Sequence, residues 1–299
     1  MDDVLIVGAG PAGLAVALQL QRYGLVPRLF EKSRPGGLLW NANWVENYPG
    51  FWDGVSGPDL ARAFLKQLGQ IKITKESVVE LTWKNGIFIA KTTNNIYQAK
   101  IAVIASGTKP RSLTGFAIPD EVQKDVVYEI ANLLESSAKR ICIVGNGDAT
   151  FDYAINMARK NSVIILNRNE QVKCLSRLLE QAQTCQNITY RPNTEVIQVE
   201  VCPEGGMIVE CSSPSGILKF QADYLIGAIG REPQMDFVSA SLMEKSADLQ
   251  EMGILHFVGD VKNGIFRQVA IAVGDGIRAG MLIYQTLKEN ADDSNCLFR

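Results

Sequence analysis

The 299-residue sequence predicts an α/β fold built from two parallel-sheet halves of one design, and three observations predict it. An apolar run, Val4-Leu5-Ile6-Val7, reads as a buried strand and leads into glycines at 8, 10 and 13, after which Leu14 to Tyr23 has helical periodicity. Lys139-Arg140-Ile141-Cys142-Ile143-Val144-Gly145-Asn146-Gly147-Asp148 repeats that plan, with a helix running on to Lys160. Each copy is followed by short strand-like segments and then a buried strand that stops at glycine: Ile101 to Ala105 before Ser106-Gly107, and Asp223 to Ile229 before Gly230. This is a duplicated architecture and not a short-period repeat.

The first glycines fall at G-x-G-x-x-G spacing. In such a turn Gly8 permits the tight bend, Gly10 lets a pyrophosphate approach the backbone, and Gly13 lets the helix lie close on the strand. The helix start offers unpaired N–H groups to the phosphates. Arg28-Leu29-Phe30 forms the next strand and ends in Glu31, about twenty residues on, where an acid can bind both ribose hydroxyls. Glycine and proline then mark a long connection from Pro35 to Phe51. Asp59 to Gln70 reads as an amphipathic helix with Leu60, Ala63, Phe64 and Leu68 on one face. Ser77 to Trp83, Ile87 to Thr92 and Ile96 to Lys100 predict a small antiparallel meander, distinct from the buried strand at Ile101. Lys109 to Val122 has no periodicity and reads as the first crossing between domains.

In the second copy Thr150 stands where a third small residue is expected. The strand Ser162 to Leu166 ends in Asn167-Arg168-Asn169 instead of an acid. With no carboxylate there, an adenosine 2′-phosphate is not repelled and Arg168 could pair with it; a solvated surface arginine is the other reading. Arg191 to Val201, Met207 to Ser212 and Ile217 to Ala222 predict further short strands. Leu255 to Asp260 is a short strand delivering Gly259 and Asp260 to a turn, and Arg267 to Lys288 a long helix packed closely through Ala270, Ala272, Gly274, Gly276 and Gly280. Asn290 to Arg299 reads as a frayed polar tail.

A net charge of -2 gives no electrostatic reason to expect nucleic acid or an anionic membrane as partner. No apolar run reaches the length of a membrane span, and Met1-Asp2-Asp3 carries acids where a secretory signal carries bases, so the expected location is cytoplasmic. The six cysteines, at 142, 174, 185, 202, 211 and 296, include no C-x-x-C, which leaves neither a zinc site nor a local redox disulfide in the sequence. The single histidine, His256, is expected to be structural, and no metal site is predicted.

Taken together, Gly8-x-Gly10-x-x-Gly13 with Glu31, Gly36-Gly37-x-Leu39, Val45-Glu46-Asn47-Tyr48-Pro49-Gly50, Ala105-Ser106-Gly107, Gly145-x-Gly147-Asp148, Gly259-Asp260-Val261 and Arg267-Gln268 make the chain resemble the low-molecular-weight thioredoxin reductase-like flavoproteins. The resemblance covers Val4 to Leu287. It implies two Rossmann-like, three-layer ββα domains, with an NAD(P)H-binding domain (112–234) inserted in a discontinuous FAD domain (1–111 and 235–299), and a homodimer. It also implies that the two links, Lys109–Val122 and Arg231–Phe237, are hinges. By the same resemblance Gly8, Gly10, Pro11, Ala12 and Gly13 hold the FAD pyrophosphate, and Glu31 with Lys32 the adenosine. Gly37, Leu38, Leu39, Asn47, Val79, Ala105, Ser106, Gly107, Gly259, Asp260 and Val269 complete the FAD set. Arg267 and Gln268 approach the pyrimidine edge of the flavin, where donors raise its potential. Gly145, Gly147, Asp148, Ala149, Arg168 and Lys173 are implied for NADPH or NADH; Trp40 or Trp44 reads as packing or, in the alternative, as a gate over one flavin face.

The departures are as informative. Tyr128-Glu129-Ile130-Ala131 occupies the place of the family's C-x-x-C, so no thiolate can be reduced there. Tyr128-x-Ile130-x-x-Leu133 with Lys139-Arg140 resembles instead the ferredoxin/flavodoxin–NADP reductases of the same fold, although Arg267-Gln268 keeps the thioredoxin reductase form. The expected activity is therefore NAD(P)H oxidation through FAD to an external acceptor such as a small iron–sulfur or flavin protein, with no catalytic side chain. Two alternatives stand beside it: an FAD protein with impaired or lost nicotinamide turnover that takes electrons from another donor or serves as a redox sensor or partner, and a disulfide reductase using distant cysteines such as Cys174 with Cys185, or Cys296.

Overall fold

The computed structural model describes residues 1–69 and 71–296, with backbone alone from 290 onward. It divides into two compact units: Met1–Trp40, Glu46–Lys109 and Pro233–Arg299 form one, and Asn41–Val45 with Pro110–Glu232 the other.

The first unit opens with β1 (Asp2–Val7), α1 (Pro11–Arg22) and β2 (Arg28–Phe30), followed by a short 3₁₀ turn over Gly37–Asn41. Then come α2 (Gly57–Gln67), β3 (Ile73–Thr74), β4 (Val78–Lys84), β5 (Ile87–Thr92), β6 (Ile96–Ile104) and β7 (Thr108–Pro110). α2 starts where Ser56 Oγ accepts the Asp59 N–H, with proline in the first turn. The strands lie in the order β3-β2-β1-β6-β5-β4. The two segments expected at Ile96 and Ile101 are one strand. Its first half pairs antiparallel with β5 (Phe88 opposite Ala99), and its second half parallel with β1 (Val4 opposite Ile101). No glycine or proline interrupts that run, so burial changes from alternating to continuous without a break in the backbone.

The second unit contains β8 (Val126–Val127), β9 (Arg140–Val144), α3 (Asp148–Met157), β10 (Ser162–Leu166), α4 (Ser176–Thr184) and β11 (Ile188–Arg191). β12 (Glu195–Val201), β13 (Met207–Ser213), β14 (Gly216–Ala222) and β15 (Tyr224–Gly227) complete it. A parallel sheet runs β11-β10-β9-β15-β8, and β12-β13-β14 form a separate antiparallel sheet. Here the duplicated design diverges. Asp223 falls between β14 and β15, and its carboxylate accepts the Arg140 backbone N–H at 2.7 Å and the guanidinium Nη2 at 2.8 Å, which breaks the strand. The strand expected over Arg191 to Val201 is two strands, because Pro192 removes a donor and Asn193 takes a left-handed φ of 49°.

The chain returns to the first unit through β16 (Arg231–Pro233), which pairs with β7 where the chain crosses between units. α5 (Ala240–Glu244), α6 (Ser246–Glu251), β17 (Leu255–Phe257) and α7 (Val269–Cys296) follow, with β17 parallel to β6. α5 and α6 escaped sequence reading because each is too short to show a period. A Cβ on Gly276 would stand 2.3 Å from the Ala12 carbonyl oxygen and one on Gly280 2.8 Å from Gln19 Cβ, so α7 lies tightly on α1 at these two glycines. A Cβ on Gly274 would meet nothing within 4 Å, so close packing does not require glycine there. The helix also continues through 290–296, which the sequence reads as frayed: no glycine or proline ends it there. Residues 297–299 of that tail lie outside the described residues.

Candidate dinucleotide sites

In the first unit β1 ends at Gly8, whose N–H donates to the Phe30 carbonyl at 2.9 Å and whose φ is +105°. A Cβ there would lie 2.4 Å from the Ala105 oxygen, and one on Gly13 only 1.9 Å from the Gly8 oxygen. Gly8 and Gly13 are thus fixed by the protein's own packing. Gly10 is not: no protein atom lies within 4 Å of where its Cβ would be, and it caps α1 with no side-chain hydrogen bond. With Pro11 at the first turn, the helix start presents its N–H groups to open ground suited to an anion. No collision within the protein requires glycine at 10.

Glu31 is buried at the end of β2. Its Oε2 accepts the Ala9 N–H at 2.9 Å, and its Oε1 accepts the Ser33 N–H at 2.9 Å and the Ser33 hydroxyl at 3.2 Å. Two carboxylate oxygens offer about four acceptor positions, so capacity remains for a ribose hydroxyl. Beside it opens a cavity of about 300 Å³ lined by Gly8, Glu31, Lys32, Val79 and Ser106, with Asp236 on its far wall. Asp236 was missed by sequence reasoning. It arrives only after the chain returns, held by Lys109 Nζ at 2.6 Å, while the Ser106 hydroxyl donates to the Gln234 carbonyl at 2.6 Å.

The remaining predicted residues gather on the other side of the turn. The Gly36 N–H donates to the Ala9 carbonyl at 2.8 Å, and a Cβ on Gly37 would lie 3.2 Å from Gly10 Cα. Leu38 and Leu39 continue that 3₁₀ turn, Leu39 buried. Asn47 Nδ2 donates to Gln268 Oε1 at 2.9 Å, joining the Gly50 loop to the residue next to Arg267 and just before Val269. A Cβ on Gly259 would meet the Ala12 Cβ at 2.7 Å, so the Gly259-Asp260 turn lies over the start of α1. That turn is held by Asp275, also missed, whose Oδ2 accepts the Gly259 N–H at 3.1 Å and Asn263 Nδ2 at 2.7 Å. Ala105 donates its N–H to the Val7 carbonyl, and Gly107 turns at φ +65° with no atom near its Cβ position. Trp40 is no gate. It is buried, its indole N–H donates to the Pro35 carbonyl at 2.7 Å, and the Arg34 guanidinium stacks on its ring. Trp44 is 47% exposed and groups with the second unit.

The second unit repeats the cradle. Gly145, at φ +153°, donates its N–H to the Leu166 carbonyl at 3.1 Å, and a Cβ there would stand 2.3 Å from Thr150 Oγ1. Thr150 is tolerated at its small-residue position because its buried hydroxyl donates to the Ala228 carbonyl at 3.4 Å. Gly147 caps α3 with no side-chain hydrogen bond and, as at Gly10, a Cβ there would meet no protein atom within 4 Å, with Asp148 and Ala149 following in the first turn. The loop after β10 folds back on this turn. Asp148 Oδ1 accepts the Leu175 N–H at 2.8 Å, and the Asn146 carbonyl accepts the Lys173 N–H at 2.8 Å. Asn167, matching Glu31, is buried, and its side-chain amide donates to Tyr190 Oη at 2.9 Å. Arg168 and Lys173 are exposed.

Where the resemblance places two cysteines, Tyr128 Oη accepts the Leu113 N–H at 3.0 Å, the Ala131 N–H donates to Asn41 Oδ1 at 2.9 Å, and Glu129 pairs with Arg231 at 2.9 Å. Cys142, Cys174, Cys185, Cys202 and Cys211 are free thiols, and burial pushes Cys142 and Cys211 up to about 12. The side chain of Cys296 lies outside the described residues. His256 bonds through Nε2 to the Gly253 carbonyl at 2.9 Å, and burial lowers its pKa, as a structural histidine requires. No helix among the described residues is long and apolar enough to cross a membrane.

The comparisons with known proteins agree with this geometry. The profile of the pyridine nucleotide-disulphide oxidoreductases matches residues 2–253. A ferredoxin–NADP reductase of Ignicoccus hospitalis is 37% identical over 191 residues, which cover 60% of this chain and 61% of that protein. A thioredoxin reductase of Mycolicibacterium smegmatis is 26% identical over 302 residues, covering 94% of this chain and 95% of its own. The solved thioredoxin reductase of T. acidophilum matches with a TM-score of 0.81 at 26% identity, over 95% of this chain and 98% of that one. The chain belongs to the pyridine nucleotide-disulphide oxidoreductase family and is a thioredoxin reductase-like oxidoreductase.

Proposed function

We propose that this protein binds FAD in its first unit, oxidises NADPH or NADH at its second, and delivers the electrons to an external acceptor without an internal dithiol. One observation carries the reading: two helix starts without a side-chain cap, each capped by a glycine (Gly10, Gly147) where a Cβ would meet no protein atom within 4 Å, lie one in each unit. The residues fit the groups. Gly10, Pro11 and Ala12 would hold the FAD pyrophosphate with Asp260 above them, Glu31 the adenosine ribose, and Arg267 with Gln268 the pyrimidine edge. Gly145, Gly147 and the start of α3 would hold the nicotinamide dinucleotide. Bound FAD supplies two-electron acceptance from nicotinamide, and the protein contributes orientation and electronic tuning.

The lack of C-x-x-C favours an acceptor outside the chain. The likeness to a protein named ferredoxin–NADP reductase points to a small iron–sulfur or flavin protein. The reading extends to a homodimer in the cytoplasm. The test is the absorbance spectrum of the purified protein followed by anaerobic titration with NADPH and NADH. A yellow protein bleached by one of them is expected, and a flavin bleached by neither would refute the nicotinamide half. A second reading rests on the loop that ties down Asn146 and Asp148 at the second cradle: an FAD protein reduced by another donor. Calorimetry with NADP⁺ and NAD⁺ separates the two, since that protein would bind neither.

A further inference from the structure

We infer that Asp275, on α7 and outside the set of residues expected to meet FAD, is a positioning residue: it holds the Gly259-Asp260 turn in a fixed relation to Arg267-Gln268, so that the two ends of the flavin are gripped in step. The inference rests on the FAD reading above.

Gly259 to Gln268 is a single loop between β17 and α7, and each of its ends carries residues expected at the flavin. Its own backbone bonds are short. The Lys262 N–H donates to the Gly259 carbonyl at 3.1 Å, the Phe266 N–H to the Asn263 carbonyl at 2.9 Å, and the Arg267 N–H to the Ile265 carbonyl at 3.0 Å. These turns shape the loop without tying one end to the other. Asp275 supplies the tie. The Gln268 carbonyl accepts the Ala272 N–H at 2.9 Å, so Gln268 belongs to the first turn of α7, and Asp275 follows on the same helix about two turns later. Asp275 Oδ2 accepts the Gly259 N–H at 3.1 Å and Asn263 Nδ2 at 2.7 Å, and its Oδ1 pairs with Lys262 Nζ at 3.2 Å. One carboxylate, on the helix that starts after Gln268, thus collects the start and the middle of the loop.

Packing does not do this work in the outer part of the loop, where Ile265 is 88% and Phe266 69% exposed. At its start Gly259 is buried beneath α1, so without the carboxylate its N–H becomes a stranded donor and the turn is free to shift. The ion pair matters less: Lys262 is exposed, and such pairs contribute little. The two uncharged donors, Gly259 and Asn263, therefore give Asp275 its role. Displacing the turn relative to α7 would loosen the hold on FAD and also move the donors at the pyrimidine edge, which favour the reduced flavin.

The experiment measures FAD affinity and the two-electron midpoint potential of bound flavin in the full chain. Asp275→Ala should bind FAD about tenfold or more weakly, and the flavin it holds should have a lower midpoint. A fall of about 30 mV corresponds to a tenfold change in the relative hold on the two redox states. Asp275→Asn, which keeps one acceptor, should recover part of both. A variant with a lowered Tm but wild-type affinity and potential makes Asp275 a structural residue only and overturns the inference. Weaker binding with an unchanged potential also overturns it, because the two ends were then never coupled. If Asp275→Ala does not fold, Asn263→Ala removes one bond and leaves the carboxylate on Gly259; it should show both changes to a lesser extent, and wild-type values in it overturn the inference. Wild-type protein that takes up no FAD overturns this assignment together with the FAD reading, whereas a yellow wild type with unaltered variants overturns the assignment alone.

Discussion

Asp152 offers a quantitative test of the second unit's packing. It lies on α3, and its Oδ2 accepts the Asn43 N–H at 2.9 Å while the Trp44 N–H also donates to the carboxylate. Burial raises its pKa from 3.8 to about 6, against the opposing pull of those amides and of Arg159, with Asp148 adding to the rise. A carboxyl with a raised folded-state pKa makes folding most favourable below its unfolded value, and that advantage is lost as pH climbs through the folded value. The window here runs from about pH 4 to about pH 6. A displacement of about two pKa units corresponds to at most ~3 kcal/mol against the ionised form at neutral pH. Asp152→Asn removes the charge, keeps one acceptor for Asn43, and loses the Trp44 bond at a cost of about 1 kcal/mol. The variant should therefore be more stable than wild type by about 1–2 kcal/mol at pH 7.5, or roughly 2–6 °C in Tm. At pH 4.5 it should be equal or slightly less stable. Calorimetric scans of both proteins from pH 4.5 to 8 measure the difference directly. A Tm difference that stays constant with pH, or that favours wild type at pH 7.5, would refute the reasoning.

Other outcomes follow from the same structure. Gly10→Ala should fold with apoprotein stability within about 0.5 kcal/mol of wild type yet lose FAD affinity by tenfold or more, because its new methyl meets only the ligand's space; Gly8→Ala, driven into the Ala105 carbonyl, should fail to accumulate as folded protein. Unchanged flavin binding in Gly10→Ala would count against the pyrophosphate placement. Arg140 holds the Asp223 carboxyl below its ordinary range, so that pair stabilises above about pH 4 and the contribution disappears on acidification. With Arg140 41% and Asp223 24% exposed, Asp223→Ala should cost only about 1 kcal/mol at pH 7, read in urea titrations, and progressively less as the pH falls through the lowered carboxyl value. Replacing Cys174, Cys185 and Cys296 together with serine should leave NADPH-driven flavin reduction and acceptor turnover intact; loss of turnover alone would revive a disulfide route.

The parts of the fold legible in the sequence are those where one residue type has one use. Gly8 and Gly13 cannot be anything else without collision, so the first turn and its helix announce themselves. Glu31 follows from its distance to that turn. The split between β14 and β15 shows in the sequence as Asp223, whereas the fusion within β6 leaves no mark, because a continuous strand and two abutting ones have the same composition. Asp236 and Asp275 were illegible for a different reason. They reach the first site across most of the chain's length, and nothing near them in sequence sets them apart from solvated acids. An aromatic between two flavin motifs reads as either packing or lid, and the Pro35 carbonyl and Arg34 hold Trp40 as packing.

The seating of Gly276 and Gly280 against α1 bears on how the protein is made. Helix α1 leaves the ribosome long before its partner α7, and β6 likewise precedes β17. The parallel and antiparallel sheets of the inserted unit, contained within 110–232, are complete well before that. Synthesis should therefore yield a settled inserted unit beside an unfinished first unit, with the apolar side of α1 open to chaperones until α7 emerges. Truncating the chain before Gly276 should leave the inserted unit protease-resistant and the first unit degraded.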